Sequence, residues 1–214
     1  MNWISRFIGG RGEGDALEPG IAEALAHWQA LPDVDLSRAH FEARYVVVNT
    51  EATGLDLDRD RLLAVGAIAI DGGLITPVDS FYATLDTSPS RALSGLLAFA
   101  RKDPLVVYNA AFNLGMLEPL IEQRLGLGLD ANVIDLYFLM PALFPERHGN
   151  PVRLAEWMES FGIETFQRHH ALGDGWVIAQ LFLAAQARAL AQGATSARAL
   201  LELERAYRQY RRKA

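Results

Sequence analysis

Three short segments of this 214-residue chain carry side chains that could act together on a reacting group. In Asn49-Thr50-Glu51-Ala52-Thr53-Gly54-Leu55, a β-branched apolar run (Tyr45-Val-Val-Val) leads into an amide and a carboxylate. Strand alternation turns Asn49 and Glu51 to one face and Thr50 to the other. A carboxylate at the end of so apolar a strand is either plain surface or a functional group. Gly54 suits a tight turn or a close backbone approach. In Tyr108-Asn109-Ala-Ala-Phe112-Asn113 an apolar strand feeds a helix. Read alone, Asn109 caps that helix, Phe112 enters the core and Asn113 sits in the first turn. In Arg168-His169-His170-Ala171-Leu-Gly-Asp174 a His precedes an Asp that opens an apolar helical stretch. Five helical steps separate two side chains by about 140°. His169 and Asp174 therefore converge only if His169 lies in the preceding loop and Asp174 caps the helix. Asp174 as a simple cap and His170 as an exposed neighbour are the plainer readings. The chain has no cysteine, so any metal must sit on oxygen or imidazole ligands, which favours Mg²⁺ or Mn²⁺.

The surrounding pattern supplies elements able to position these segments. Helical spacing of Ile21, Leu25, Trp28 and Leu31 predicts a first helix stopped by Pro32. Strands are expected over 45–50, 62–70 and 74–85, the last two joined by a turn at Asp71-Gly-Gly. A helix over 93–101, a buried strand over 104–109 and a helix over 112–125 follow. A short strand at 132–136 then runs into an apolar stretch that Pro141 and Pro145 interrupt. Helices are expected over 154–161, closed by Gly162, and over 174–191. The basic stretch 197–214 is helical by propensity, and is either a solvated terminal helix or a contact for nucleic acid or a partner. Three antiparallel strands followed by alternating helices and strands indicate a mixed sheet covered on both faces. The organisation expected is a leader and helix over 1–43, a central domain over 44–192 and a basic helix over 193–214.

Composition limits the choices further. The net charge of −6 argues against binding nucleic acid through overall charge, though not against a local groove. Zero cysteine excludes a disulfide scaffold, a thiol nucleophile and Cys-ligated zinc or iron–sulfur sites. No apolar run approaches the roughly 18–20 residues that span a bilayer. The Gly-rich leader, with Trp3, Ile4, Phe7 and Ile8, lacks the features of a signal peptide. It reads as a weakly docking terminus, with a membrane-surface role as the lesser alternative. A cytoplasmic location is the expectation.

Together, the order and spacing of the three segments resemble the DnaQ-like DEDDh 3′–5′ exonucleases. That group includes the proofreading subunit of the bacterial replicative polymerase and ribonuclease T. Asn49-Thr-Glu51-Ala52-Thr53-Gly54-Leu55 is similar to the first motif, Asp-x-Glu-Thr-Thr-Gly-Leu/Met. Tyr108-Asn109-Ala-Ala-Phe112-Asn113 is similar to the second, His-Asn-x-x-Phe-Asp, and His169-His-Ala171-Leu-Gly-Asp174 to the third, His-x-Ala-x-x-Asp. Arg59-Asp60-Arg61-Leu62 and Asp135-Leu also resemble family elements, and the likeness covers residues 44–190. It implies an α/β fold: a ribonuclease-H-like mixed sheet of about five strands, the first three antiparallel, flanked by helices. It implies two divalent cations, Mg²⁺ or Mn²⁺, at Asn49, Glu51, Asn113 and Asp174, and His169 as general base. It further implies that Ala52, Thr53, Gly54, Leu55, Asn109 and Phe112 border the terminal nucleotide, Leu55 as an apolar wedge.

The chain departs from the family at decisive points. Asn49 and Asn113 stand where the family has aspartates, so the positions expected to hold metal carry two fewer negative charges. Ala52 replaces the usual Thr, and the segment that the family places between Leu85 and Leu93 is missing. The expectation is a 3′–5′ exonuclease-type protein acting on DNA or RNA ends, strongly attenuated or inactive as it stands. The alternative is a non-catalytic module that binds nucleic acid or a partner. Natural divergence, substitution of an active enzyme and weak activity with altered metal demand all remain open as origins of the two amides. Expected partners are single-stranded or 3′-terminal nucleic acid, and a polymerase subunit or a second copy through the terminal helices; a membrane is not expected.

Overall fold

The computed structural model describes residues 17–213, so the apolar cluster at Trp3, Ile4, Phe7 and Ile8 lies outside the described residues. The elements are α1 (Pro19–Ala30), β1 (Arg44–Ala52), β2 (Leu62–Asp71), β3 (Leu74–Thr84), α2 (Pro89–Ala100), β4 (Leu105–Val107) and α3 (Ala110–Leu125). They continue with β5 (Val133–Asp135), α4 (Leu136–Leu143), α5 (Leu154–Phe161), α6 (Ala171–Ala191) and α7 (Ala197–Lys213). The five strands form one sheet in the order β3-β2-β1-β4-β5. β1 to β3 are antiparallel, while β4 runs parallel to β1 and β5 parallel to β4. This is the mixed, helix-flanked sheet expected from the sequence. Its parallel half gathers the carboxyl ends of β1, β4 and β5 at one edge, where open α/β sheets place ligands.

β1 is buried on both faces, and its alternation divides the core. Tyr45 and Val47 pack with α4, α6 and α7, while Val46 and Val48 pack with α1, α2 and α3. Continuing that parity sends Asn49 toward α6 and Thr50 toward α3. Asp71 pairs with Leu74 across a two-residue turn, and Gly72 and Gly73 both have positive φ (57° and 79°), as a type I′ hairpin requires.

Several boundaries differ from the sequence expectations. α2 starts at Pro89, whose missing N–H costs nothing in the first turn. α3 starts at Ala110, but the Asn109 side chain does not cap it. The backbone N–H groups of Asn109 and Ala110 instead donate to the Asp135 carboxylate, both at 2.9 Å. Pro141 lies inside α4 rather than interrupting it. One lost backbone bond is tolerated there because Leu136, Leu139, Met140 and Leu143 bury the helix. α6 starts at Ala171, so Asp174 sits in its first turn and does not cap it.

The terminal helix α7 is docked, with Ala197, Leu200 and Glu204 buried, although Arg205, Arg211 and Arg212 stay exposed. Its anchor is polar. The Arg208 guanidinium reaches Asp135 at 3.0 Å and Glu204 at 2.6 Å, and Glu204 accepts the Asp135 backbone N–H at 2.9 Å. Burial pushes the Glu204 carboxyl up to about 7, against the pull of that N–H and of Arg208. No helix among the described residues is long and apolar enough to cross a membrane.

α6 approaches β2 closely at Gly66, where a Cβ would lie 2.8 Å from the Ala171 carbonyl carbon and 2.9 Å from the Leu172 nitrogen. Neither backbone atom can move without shifting the start of α6. Gly66→Ala should cost about 1–3 kcal/mol in chemical denaturation, whereas Gly20→Ala, which meets nothing within 4 Å, should stay near neutral. Equal effects would mean the approach is not tight. Glu204 gives a second expectation. The folded chain keeps its proton at pH values where the unfolded chain, near 4.5, has lost it, so the stability from that proton falls as pH rises toward 7. The melting temperature of the wild type should therefore drop relative to Glu204→Gln between about pH 5 and 8. Buried His40 titrates in both proteins and cancels. A pH-independent difference would contradict the burial argument.

Candidate active site

Eight of the residues singled out from sequence line one cavity of about 370 Å³: Asn49, Glu51, Ala52, Gly54, Leu55, Phe112, His169 and Asp174. β1 supplies the first three from its carboxyl end. The loop after it turns through Gly54, and Asp60 braces it by accepting from the Thr53 hydroxyl (2.8 Å) and the Asp56 N–H (2.9 Å). Thr53 is spent on that brace and does not line the cavity. Leu55 stands at the rim, 83% exposed, opposite a half-buried Phe112 at the start of α3.

His169 and Asp174 enter from the α6 side. His169 is in the preceding loop, as their convergence requires, with a positive φ of 55° that few side chains other than glycine adopt. The loop folds tightly over the helix: a Cβ at Gly173 would fall 1.9 Å from the Gln167 carbonyl oxygen. Two neighbours that the motif reading did not use also shape it. His170 stacks on Tyr82 of β3, with ring centroids 4.9 Å apart and planes at 15°. Arg168 Nε approaches Asp174 Oδ1 at 3.5 Å, and its guanidinium also touches the Met158 sulfur. Desolvation, followed by the charges of Glu51 and Asp86, raises the Tyr82 hydroxyl above its ordinary range. Tyr82 could be read from sequence only as an alternating strand aromatic, and Arg168 gave no spacing signal at all.

Two sequence candidates lie elsewhere. Asn109 is exposed, in a left-handed conformation (φ 67°) at the β4–α3 corner, and does not line the cavity. Asn113 is 3% exposed and turned into the protein. Its Oδ1 accepts from the Thr50 N–H (3.0 Å) and hydroxyl (2.9 Å), and its Nδ2 donates to the carbonyls of Tyr108 (2.9 Å) and Asn109 (3.2 Å). Asn49, by contrast, makes a single long contact from Nδ2 to the Ala171 carbonyl at 3.4 Å.

These donors bear on the two ions that the resemblance implies. Asp174 Oδ1 is buried and accepts no hydrogen bond, and the positive charge beside it is the Arg168 guanidinium. Glu51 is the second carboxylate of the cavity, and the described residues contain no group of three or more His, Cys, Asp or Glu side chains able to hold a metal. A close pair of hard dications calls for several anionic oxygens. The residues present do not fit such a pair.

No family model matches the chain. DNA polymerase III PolC-type from Thermotoga maritima is 29% identical over 167 residues, which is 66% of this chain and 12% of that protein. The PolC-type polymerase of Bacillus subtilis is 29% identical over 168 residues. DNA polymerase III subunit epsilon from Treponema pallidum is 25% identical over 169 residues, covering 67% of this chain and 76% of that protein. The chain thus spans only about an eighth of the PolC-type relatives it matches. Among solved structures, a zinc-bound E. coli ExoI–ssDNA complex superposes with a TM-score of 0.50 at 16% identity, over 69% of this chain and 41% of that one. That likeness speaks for the fold. With three ordered motifs on a ribonuclease-H-like sheet, and alignments to DNA polymerase III components across two thirds of its length, the chain resembles the DnaQ-like DEDDh exonucleases.

Proposed function

We propose that this chain is a 3′–5′ exonuclease-type domain whose cavity receives the 3′ end of a nucleic-acid strand, and that it hydrolyses the end very slowly or not at all. The observation that carries this is the convergence of Glu51, His169 and Asp174 with Leu55 and Phe112 on one cavity, with amides at the other two acidic positions of the family. DNA is the first substrate to try, since the relatives are DNA polymerase III components and the solved neighbour is a complex with single-stranded DNA. By the same likeness, a polymerase subunit is the proposed protein partner.

Each role follows from position. Leu55, projecting at the rim, wedges against the last base, and Phe112 offers it an apolar face. His169, on the exposed loop, accepts a proton from a water attacking the terminal phosphodiester. Glu51 and Asp174 orient that water and any cation present. Family members supply divalent metal to stabilise charge on the phosphate; here the anionic oxygens for a pair are lacking. The associated loss is about 3–7 kcal/mol in barrier, or about 10²–10⁵ in rate. A second reading, a binding module without turnover, is favoured by the Arg168–Asp174 contact, which gives that carboxylate a counter-ion from the protein itself.

Two measurements test this. In an Mn²⁺-supported nuclease assay the chain should be about 10²-fold or more slower than a relative with four acids, and robust turnover would contradict the attenuation. In fluorescence anisotropy a single strand with a free 3′ end should bind at least about tenfold more tightly than one whose 3′ end is closed in a hairpin. Leu55→Ala should narrow that ratio. Equal affinities would remove the end-binding reading.

A further inference from the structure

Asn113 is the one residue of the family's ligand set whose surroundings are complete without a metal. A carboxamide has two acceptor sites on oxygen and two N–H donors, and here all four are used within the protein: two by Thr50, two by the carbonyls of Tyr108 and Asn109. The polarity is fixed by the partners, because the Thr50 backbone N–H can only donate and the two carbonyls can only accept. A carboxylate at this position would put an oxygen where Nδ2 stands, about 3 Å from two carbonyl oxygens, in a site 3% exposed. That oxygen would be both repelled and unsatisfied.

We propose that Asn113 is a positioning amide of this fold rather than a replaced metal ligand, so that the cleft takes at most one divalent ion and returning Asp to position 113 damages the protein instead of restoring a second ion. Position 49 differs in kind. Asn49 faces the cavity and has only the 3.4 Å contact to lose. Both amides stand where the family has aspartate, but their surroundings in the structure differ. The inference rests on the reading of the cavity as a DEDDh-type site, and it concerns which residues serve ions there.

The test is Mn²⁺ binding, counted by electron paramagnetic resonance, run beside thermal unfolding on the full chain and on Asn49→Asp, Asn113→Asp and Asn113→Ala. Asn49→Asp should bind no more than one Mn²⁺ per chain, with a melting temperature close to that of the wild type. Asn113→Asp and Asn113→Ala should each lower the melting temperature by roughly 5–10 °C, with no gain in bound Mn²⁺. If Asn113→Asp does not fold, the Asn49→Asp count still decides. Two Mn²⁺ per chain in Asn49→Asp, or a second Mn²⁺ in Asn113→Asp at an unchanged melting temperature, would overturn the proposal. Failure of the 3′-end reading would show separately, as equal anisotropy affinities for free and closed ends measured without metal.

Discussion

The Asn113 carboxamide ties the end of β1 to the corner where β4 turns into α3, and the geometry of the cavity depends on that tie. Thr50 is held by its backbone N–H and its hydroxyl, and its neighbours Asn49 and Glu51 are thereby fixed on the opposite face. The same amide holds the carbonyls of Tyr108 and Asn109, where the chain passes through a left-handed residue before the first turn of α3. A buried side chain with every polar atom satisfied acts as a rigid bracket. Without it, the end of the strand bearing the carboxylate and the start of the helix bearing Phe112 would be held together by the short parallel pairing of β1 with β4 and by apolar packing of Val46 and Val48 against α3.

Two further supports complete the site from either side. Under the α3 corner, Asp135 receives the Asn109 and Ala110 N–H groups, and Arg208 and Glu204 of α7 hold Asp135 in turn. The basic terminal helix thus helps to hold a motif residue in place even though it lines no part of the cavity. On the α6 side, close approaches at Gly66 and Gly173 bring the helix start against β2 and fold the His169 loop over it. Tyr82 then stacks on His170, so the loop carrying His169 is anchored to the edge strand β3.

Much of this was legible from sequence because it rests on periodicity and motif order. Strand alternation turned Asn49 and Glu51 to one face and Thr50 to the other, and the requirement that His169 precede the helix followed from helical angles alone. What could not be read depends on contacts between distant segments. Asp174 looked like a helix cap because it opens the apolar stretch, whereas α6 starts at Ala171 and Gly173 allows a close pass of the Gln167 carbonyl. Asn109 looked like a cap because its residue type suits one, but Asp135, 26 residues away, supplies the oxygens. Pro141 looked like a stop, and burial of its helix outweighs the one missing bond. Asn49 and Asn113 both looked like replaced aspartates because a motif records residue type and not hydrogen-bond partners. Arg168, against Asp174, left no trace in spacing.

The proposed function requires a cleft that takes a strand end yet lacks the oxygens for a metal pair. Anomalous scattering from a crystal holding a single-stranded oligonucleotide and soaked in Mn²⁺ tests that most directly. The predicted result is at most one Mn²⁺ peak, beside Glu51 and Asp174, with the last base against Leu55 and Phe112 and Asn113 still bonded to Thr50. Two peaks, one of them ligated by the Asn113 oxygen, would contradict it.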